Sequence, residues 1–412
     1  MNNNTLTHYN FREQLQLELD RKQADSMKRS LRIVSGNGRI VHINNTPLIN
    51  LTSNDYLGIA NHPHIKQAAQ SAIEKFGTGT GSSKLVTGHF DLHHQAEKQF
   101  AQFKHAESAL LFPTGYMANL AVLTALASPG DLICQDKLNH ASLIDAARAT
   151  GAQVRSYPHL DTNKLQRLLK RHQTASNASD LPSDRPPRRF IVTDSIFSMD
   201  GDAAQLPQLV TIAKQYDAIL VVDEAHGTGV LGNQGSGLAE SQNVSKQIDV
   251  IISTASKALG SLGGIVTADS VICETLVNNS RSLIYTTSIP PSQTASITAA
   301  VNIIQNEPLR RIKLNQMCLA FREELLNMGW ELPHLQASTE ATPIFPLVLS
   351  SPEKALAASQ SLLEAGFLAS AIRYPTVPPG ADRVRLSLRA DLTDDDISKL
   401  IIAVRNIRST LC

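Results

Sequence analysis

Two apolar runs, each followed at once by reactive side chains, constrain this chain more than any other feature. Residues 218–222 read as a buried strand that delivers Asp223-Glu224-Ala225-His226-Gly227-Thr228-Gly229 at its C-terminal end. Residues 248–252 read as a second, delivering Ser253-Thr254-Ala255-Ser256-Lys257. Uninterrupted apolar runs mark strands covered on both faces, as in parallel sheets. Two parallel strands that end together bring Asp223, His226, Thr254 and Lys257 to one crevice, at the edge where open α/β sheets bind ligands.

The surrounding pattern supports such a sheet. Between residues 93 and 267 helical stretches alternate with short apolar runs at 108–112, 132–134, 154–157, 190–193 and 264–267. With the first two runs this predicts an α/β large domain holding a mainly parallel seven-stranded sheet. Before it come a charged amphipathic helix over 11–30, a hairpin over 40–51 turning at Asn44-Asn45-Thr46-Pro47, and helices over 63–76 and 93–103. The polar stretch 171–189, with Pro182, Pro186 and Pro187, reads as a surface insertion. After Ile289-Pro290-Pro291, helices over 293–304 and 308–327 lead to a small α+β domain with strands at 345–349, 367–372 and 384–388 and helices over 352–365 and 394–407. The predicted division is an arm and hairpin (1–50), a large domain (51–290), and linker helices with a small C-terminal domain (291–412).

Composition removes several function classes. The 412 residues exceed one simple core, and a net charge of +1 with 18% charged residues leaves no nucleic-acid footprint. Cys134, Cys273, Cys318 and Cys412 lack paired spacing, which argues against a disulfide framework or a cysteine zinc site and fits a cytoplasmic chain. No apolar run is long enough to span a bilayer. His89 and His93 lack the acidic partner of a zinc motif, so no metal site is expected. Gly77-Thr78-Gly79-Thr80-Gly81 follows a helix rather than a strand and lacks the Gly-Lys-Ser/Thr ending of a phosphate loop.

Taken singly, a solvated lysine, a helix-capping acid and a satisfied histidine are ordinary. Their spacing is not. A lysine, an acid, an imidazole and hydroxyls around one crevice suit pyridoxal 5'-phosphate: the lysine takes the aldehyde, the acid pairs with the ring nitrogen, and hydroxyls take phosphate. Thr114-Gly115-Tyr116 joins a strand to a helix N-terminus, where free amides favour an anion, and Tyr116 is placed to cover a ring face. Asn139-His140-Ala141-Ser142 lies in a loop after another strand. Arg373, in Arg373-Tyr374-Pro375-Thr376-Val377-Pro378, offers a fork suited to a carboxylate.

These residues together resemble the α-oxoamine synthases, a branch of the fold-type I pyridoxal phosphate-dependent transferases. The resemblance runs from Leu51-Thr52-Ser53-Asn54-Asp55-Tyr56-Leu57-Gly58 to Arg385-Leu386-Ser387-Leu388. It passes through Phe197-Ser198-Met199-Asp200-Gly201-Asp202, the Asp223 to Gly229 segment, and Ile284-Tyr285-Thr286-Thr287-Ser288-Ile289-Pro290-Pro291. Gly227-Thr228-Gly229 after His226 favours the biotin-pathway branch over those making 2-amino-3-oxobutyrate or 5-aminolevulinate, which read Ala-Val-Gly there.

The resemblance implies condensation of L-alanine with pimeloyl-CoA or pimeloyl-acyl carrier protein in a homodimer with sites at its interface. It implies that Lys257 binds the cofactor and acts as general base, Asp223 meets the pyridinium, His226 the ring hydroxyl, and His140 the ring face. Gly115, Tyr116, Ser198 and Thr254 would complete the cofactor site. Arg373 would hold the amino-acid carboxylate, and Thr376 would contact substrate. The arginine that family members direct at the acyl group falls at Lys28 or Arg29, two registers that stay open here. Rival readings are a sister synthase using glycine and another acyl-CoA, a catalytically silent scaffold, which the intact Lys257, Asp223 and His226 disfavour, and a nicotinamide dehydrogenase, disfavoured by the lack of a strand-Gly-x-Gly-x-x-Gly-helix unit.

Overall fold

The seven predicted strands form one sheet in a computed structural model that describes residues 10–175, 185–333 and 341–411. Across the sheet they run Ser108–Phe112, Gly264–Ala268, Val250–Thr254, Ala218–Asp223, Arg189–Asp194, Leu132–Asp136 and Gln153–Tyr157. Only Gly264–Ala268 is antiparallel to its neighbours. The other pairs are parallel. The C-terminal ends at Phe112, Asp136, Asp194, Asp223 and Thr254 therefore emerge along one edge. Gly264 begins its strand there because a Cβ would lie 2.4 Å from the Thr114 carbonyl oxygen.

Chain order reverses within this sheet. From Leu132–Asp136 the chain moves out to the edge strand Gln153–Tyr157, then returns to lay Arg189–Asp194 on the other side of Leu132–Asp136. A crevice opens at such a switch point, and the loops after Asp136 and Asp194 flank it.

Helices cover both faces, and successive residues of one strand serve opposite cores. Leu220 and Val222 join Phe100, Phe103, Ile297 and Val301 on one side. Val221 joins Phe112, Val122, Leu143 and Val250 on the other. Each such buried side chain contributes roughly 1.5–3 kcal/mol. Helix starts follow local chemistry: Pro63 opens Pro63–Phe76, and the Thr114 and Ser351 hydroxyls accept from Met117 N and Lys354 N. Thr393 and Asp396 exchange bonds at the start of Asp394–Leu411.

Four expectations need correction. The run at 248–252 forms a strand two residues later, Val250–Thr254, so Thr254 sits inside the ladder opposite Gly264. Asp249 stays outside it, accepting from Leu220 N. The predicted strand 367–372 breaks at Ala369. Phe367–Leu368 pairs with Thr46–Asn50 of the N-terminal hairpin, while Ser370–Ile372 joins Arg383–Ser387 and Ile344–Val348 in a separate small sheet. The arm helix is Phe11–Ala24, shorter than expected. It buries no side chain, and Ser26 turns into the left-handed region. The stretch 171–189 is in part regular: the helix Thr162–Ala175 takes its first residues and Arg189–Asp194 its last, while residues 176–184 lie outside the described ones.

The hairpin forms with a tighter turn than expected. Ile40–Ile43 and Thr46–Asn50 pair antiparallel, with Thr46 and Pro47 already in the ladder opposite Ile43 and His42, so only Asn44 and Asn45 turn, both at positive φ, as a primed two-residue turn requires. Among the described residues no helix is long and apolar enough to cross a membrane.

Candidate active site

Five strand ends build the site. Asp223 closes Ala218–Asp223 and is buried. One carboxylate oxygen accepts from Ala225 N at 2.8 Å, the other from Asn119 Nδ2 at 2.7 Å. Asn119, one turn into the helix Gly115–Leu126, also donates to Ser142 Oγ at 2.7 Å, while its own Oδ1 is buried without a partner. Asp194 closes the adjacent strand and accepts from His140 N at 2.6 Å. Burial and the neighbouring Asp223 push the Asp194 carboxyl well above the usual carboxylate range.

Lys257 follows the next strand over. Burial lowers its ammonium to about 8, against the opposing pull of Asp223 and Asp194 and with help from Arg385. A lysine in this range is a usable nucleophile and base near neutral pH.

His226 is buried beneath the same edge. Its Nδ1 lies 2.7 Å from Tyr56 Oη. Burial, Lys257 and Arg385 push its pKa well below the usual histidine value, so the ring is neutral. Arg385 donates to Tyr56 Oη at 3.2 Å, so the tyrosine's own proton points to Nδ1 or, at 3.1 Å, to Asn54 Oδ1. The shorter contact assigns it to Nδ1 and leaves Nε2 to carry the imidazole proton. His140 caps the helix Ala141–Ala149, its Nδ1 2.7 Å from Ser142 Oγ, with its ring exposed at the edge.

The residues fit a phosphorylated pyridine. At the start of Gly115–Leu126 the Thr114 hydroxyl takes Met117 N, and the first-turn amides of Gly115 and Tyr116 have no acceptor within the helix. Thr254 Oγ1 and Ser256 Oγ stand beside that helix end, 2.8 Å apart. A Cβ on Gly115 would meet Thr254 at 3.4 Å, so glycine sets how closely the two approach. Amides, dipole and hydroxyls together form an anion cradle. Asn119, with its orphaned Oδ1, ties the same helix to Asp223. Tyr116 is exposed and donates to Asp145 Oδ2 at 2.6 Å. Ser198 is half-buried, its carbonyl accepting from Arg385 Nε at 2.6 Å.

Of the expected substrate residues, Lys28, Arg29, Arg373 and Thr376 collect in a second place, a cavity of about 740 Å³ also lined by Arg32 and with no acidic residue in its wall, while His140, also expected to meet substrate, stays at the strand edge. Arg29 donates to Thr376 Oγ1 at 2.9 Å, and Arg373 to the Ser26 carbonyl. Lys28 lines the wall without a side-chain bond to Thr376. Lys257 and Asp223 do not line this cavity. Thr52 in its wall lies two residues before Asn54, which accepts from Arg385.

Sequence reasoning missed Tyr56, Asn119, Asp194 and Arg385. Asp194 carried a usable signal, as an acid directly after the apolar run 190–193. Arg385 stood only as the first residue of the last motif of the resemblance, since an alternating strand residue shows no local sign of a role.

Residues 46–404 match the family described as aminotransferase class I and II. An 8-amino-7-oxononanoate synthase of Geobacter sulfurreducens is 40% identical over 398 residues, 96% of this chain and 97% of the relative. Among solved structures, a serine palmitoyltransferase of S. paucimobilis with bound PLP–myriocin superposes with TM-score 0.87 at 28% identity, over 97% of this chain and 98% of the other. The 8-amino-7-oxononanoate synthase of Francisella tularensis superposes with TM-score 0.72 at 30% identity, over 87% and 97%.

Proposed function

The chain belongs to the class I and II aminotransferase family, and from that premise we propose that it is a pyridoxal phosphate-dependent acyltransferase making 8-amino-7-oxononanoate. L-Alanine and a pimeloyl thioester, on coenzyme A or an acyl carrier protein, condense with loss of carbon dioxide and release of the free thiol, as a step of biotin biosynthesis. The observation that carries this choice is the 40% identity, over nearly the whole chain, to relatives bearing that activity's name.

When bound, pyridoxal phosphate supplies an electron sink for the carbon next to the substrate amine. Lys257 would hold its aldehyde carbon, Asp223 the ring nitrogen, His226 the ring hydroxyl, His140 one ring face, and Gly115, Tyr116, Ser198 and Thr254 the remainder. Lys257, with a substantial neutral fraction near pH 8, takes the proton from the α-carbon of alanine and returns one after carbon dioxide leaves. Asn119 and Ala225 N orient the Asp223 carboxylate. Neutral His226 keeps a donor available at Nε2 because Tyr56 fills Nδ1. Arg373 would receive the alanine carboxylate. Arg29, beside Thr376, is the better placed of the two candidates for the acyl group's distal carboxylate, because its fork already reaches that wall.

A homodimer with shared sites is part of the same reading. Val86 and Tyr285 are 74% and 72% exposed, on segments joined where Ser288 N donates to the Ser82 carbonyl. An apolar surface next to the anion cradle supports a partner there. The scattered buried thiols of Cys134, Cys273 and Cys318 support a reducing, cytoplasmic setting.

The test is release of carbon dioxide and free thiol with pimeloyl-CoA, comparing L-alanine, glycine and L-serine. Turnover with alanine is expected, and Lys257→Ala should abolish it. The closer backbone match to a serine palmitoyltransferase favours one rival: turnover confined to serine with a long acyl-CoA would replace this reading with that one.

A further inference from the structure

His140 and Ser198 sit on different loops, each four residues beyond a strand end, at Asp136 and Asp194. Between these loops stands His159, just past the edge strand Gln153–Tyr157. Its Nδ1 lies 3.0 Å from Asp136 Oδ1 and its Nε2 2.6 Å from Asp202 Oδ2. Its ring meets the Phe197 ring edge-on at 4.3 Å between centroids.

Both anchors reach into their own loops. Asp136 Oδ1 accepts from Leu138 N at 2.8 Å and its carbonyl from Asn139 N at 3.2 Å, fixing the approach to His140. The Asp202 carbonyl accepts from Phe197 N at 3.0 Å, closing the turn that carries Ser198. A neutral imidazole has one N–H and cannot donate at both ends, so two carboxylates require the imidazolium. The two acids hold it protonated to about pH 10 despite burial. The adjacent Asp200 does not compete for this cation, because Arg383 Nη1 takes it at 2.5 Å.

We propose that His159 is a positioning residue of the cofactor site: an imidazolium strut that fixes the loop bearing His140 against the loop bearing Ser198. The strut sets the width of the slot into which the pyridine ring fits. This rests on the reading that both loops meet the cofactor. Removing the strut should therefore loosen cofactor binding more than it disturbs the sheet.

The experiment measures cofactor release from the holoenzyme, by dilution and absorbance, together with the induced circular dichroism of the bound cofactor. His159→Ala should raise the dissociation constant of pyridoxal phosphate about tenfold and weaken the dichroic band, on the scale of losing a group that orients the residues holding a bound metal. Asp202→Asn still accepts from Nε2 and should stay within about threefold of the wild type. If His159→Ala does not fold, Asp202→Ala cuts one end of the strut and is read in the same way. A lowered melting temperature with unchanged dissociation constant and dichroism would overturn the proposal. Failure of the wild type itself to hold the cofactor would overturn the cofactor reading instead.

Discussion

The burial that readies Lys257 for chemistry must also destabilise the fold, and both effects are measurable. A fall from 10.5 to about 8 leaves ~9% of the amine neutral at pH 7, against ~0.03% for a solvated lysine, a gain of roughly 300-fold. At 1.36 kcal/mol per pH unit the same fall costs about 3 kcal/mol of folding free energy while the lysine is charged. The sign follows from the lowered value. The folded state binds the proton less well, so the penalty is full below pH 8, shrinks as pH rises through 8 towards 10.5, and is gone above it. Lys257→Met in cofactor-stripped protein should thus be more stable than wild type at pH 7, by up to about 3 kcal/mol. Urea unfolding at steps from pH 7 to 10.5 gives the difference, which should close at the alkaline end. Cofactor capture by the stripped wild type should rise tenfold or so from pH 7 to 9 and level off. Replacing both acids, Asp194→Asn with Asp223→Asn, should move that midpoint below 8. A Lys257→Met protein less stable than wild type at pH 7, with capture rates flat across the range, would refute the reasoning.

Three other outcomes follow from named contacts. Lys104 Nζ donates to Glu224 Oε2 at 2.7 Å and Thr228 Oγ1 at 2.8 Å, with both partners of the ion pair buried. Lys104→Met leaves a buried carboxylate unpaired and should cost about 3–5 kcal/mol in chemical unfolding, with Glu224→Gln added to it restoring part of the loss. Arg29→Ala should raise KM for the acyl thioester about tenfold at little change in kcat, the mark of uniform binding, and Lys28→Ala should do less; the reverse order would give the acyl contact to Lys28. His159, raised to about 10, contributes stability that is fully present below its unfolded value near 6.5 and is lost as pH rises through 10; melting temperatures should fall over that span in wild type and fall less in His159→Ala.

What the sequence disclosed and what it hid divide along a physical line. Asp223, His226, Thr254 and Lys257 were legible because a parallel strand is written locally: an apolar run ends, the chemistry begins, and neighbouring runs of the same kind share an edge. The same logic should have caught Asp194, which ends the run 190–193 as Asp223 ends its own. Tyr56 and Arg385 were not legible on those terms. Arg385 lies 329 residues from the tyrosine it holds, and Tyr56 lies 170 from His226. Neither interval has a period that a pattern could reveal. The split of 367–372 was hidden for a similar reason, since which sheet a strand joins depends on partners far along the chain. Yet these distant groups decide what the legible ones do. Arg385 lowers the pKa of both Lys257 and His226, occupies Tyr56 so that its proton turns to His226, and grips the Ser198 carbonyl. Burial is the larger cause of both shifts, and an arginine on the strand Arg383–Ser387 adds to it at the edge of the large sheet. Any motion that carried the strand Arg383–Ser387 away from that edge would withdraw this cation, raise the Lys257 pKa and reduce its neutral fraction, so the lysine's reactivity is tied to where that strand lies.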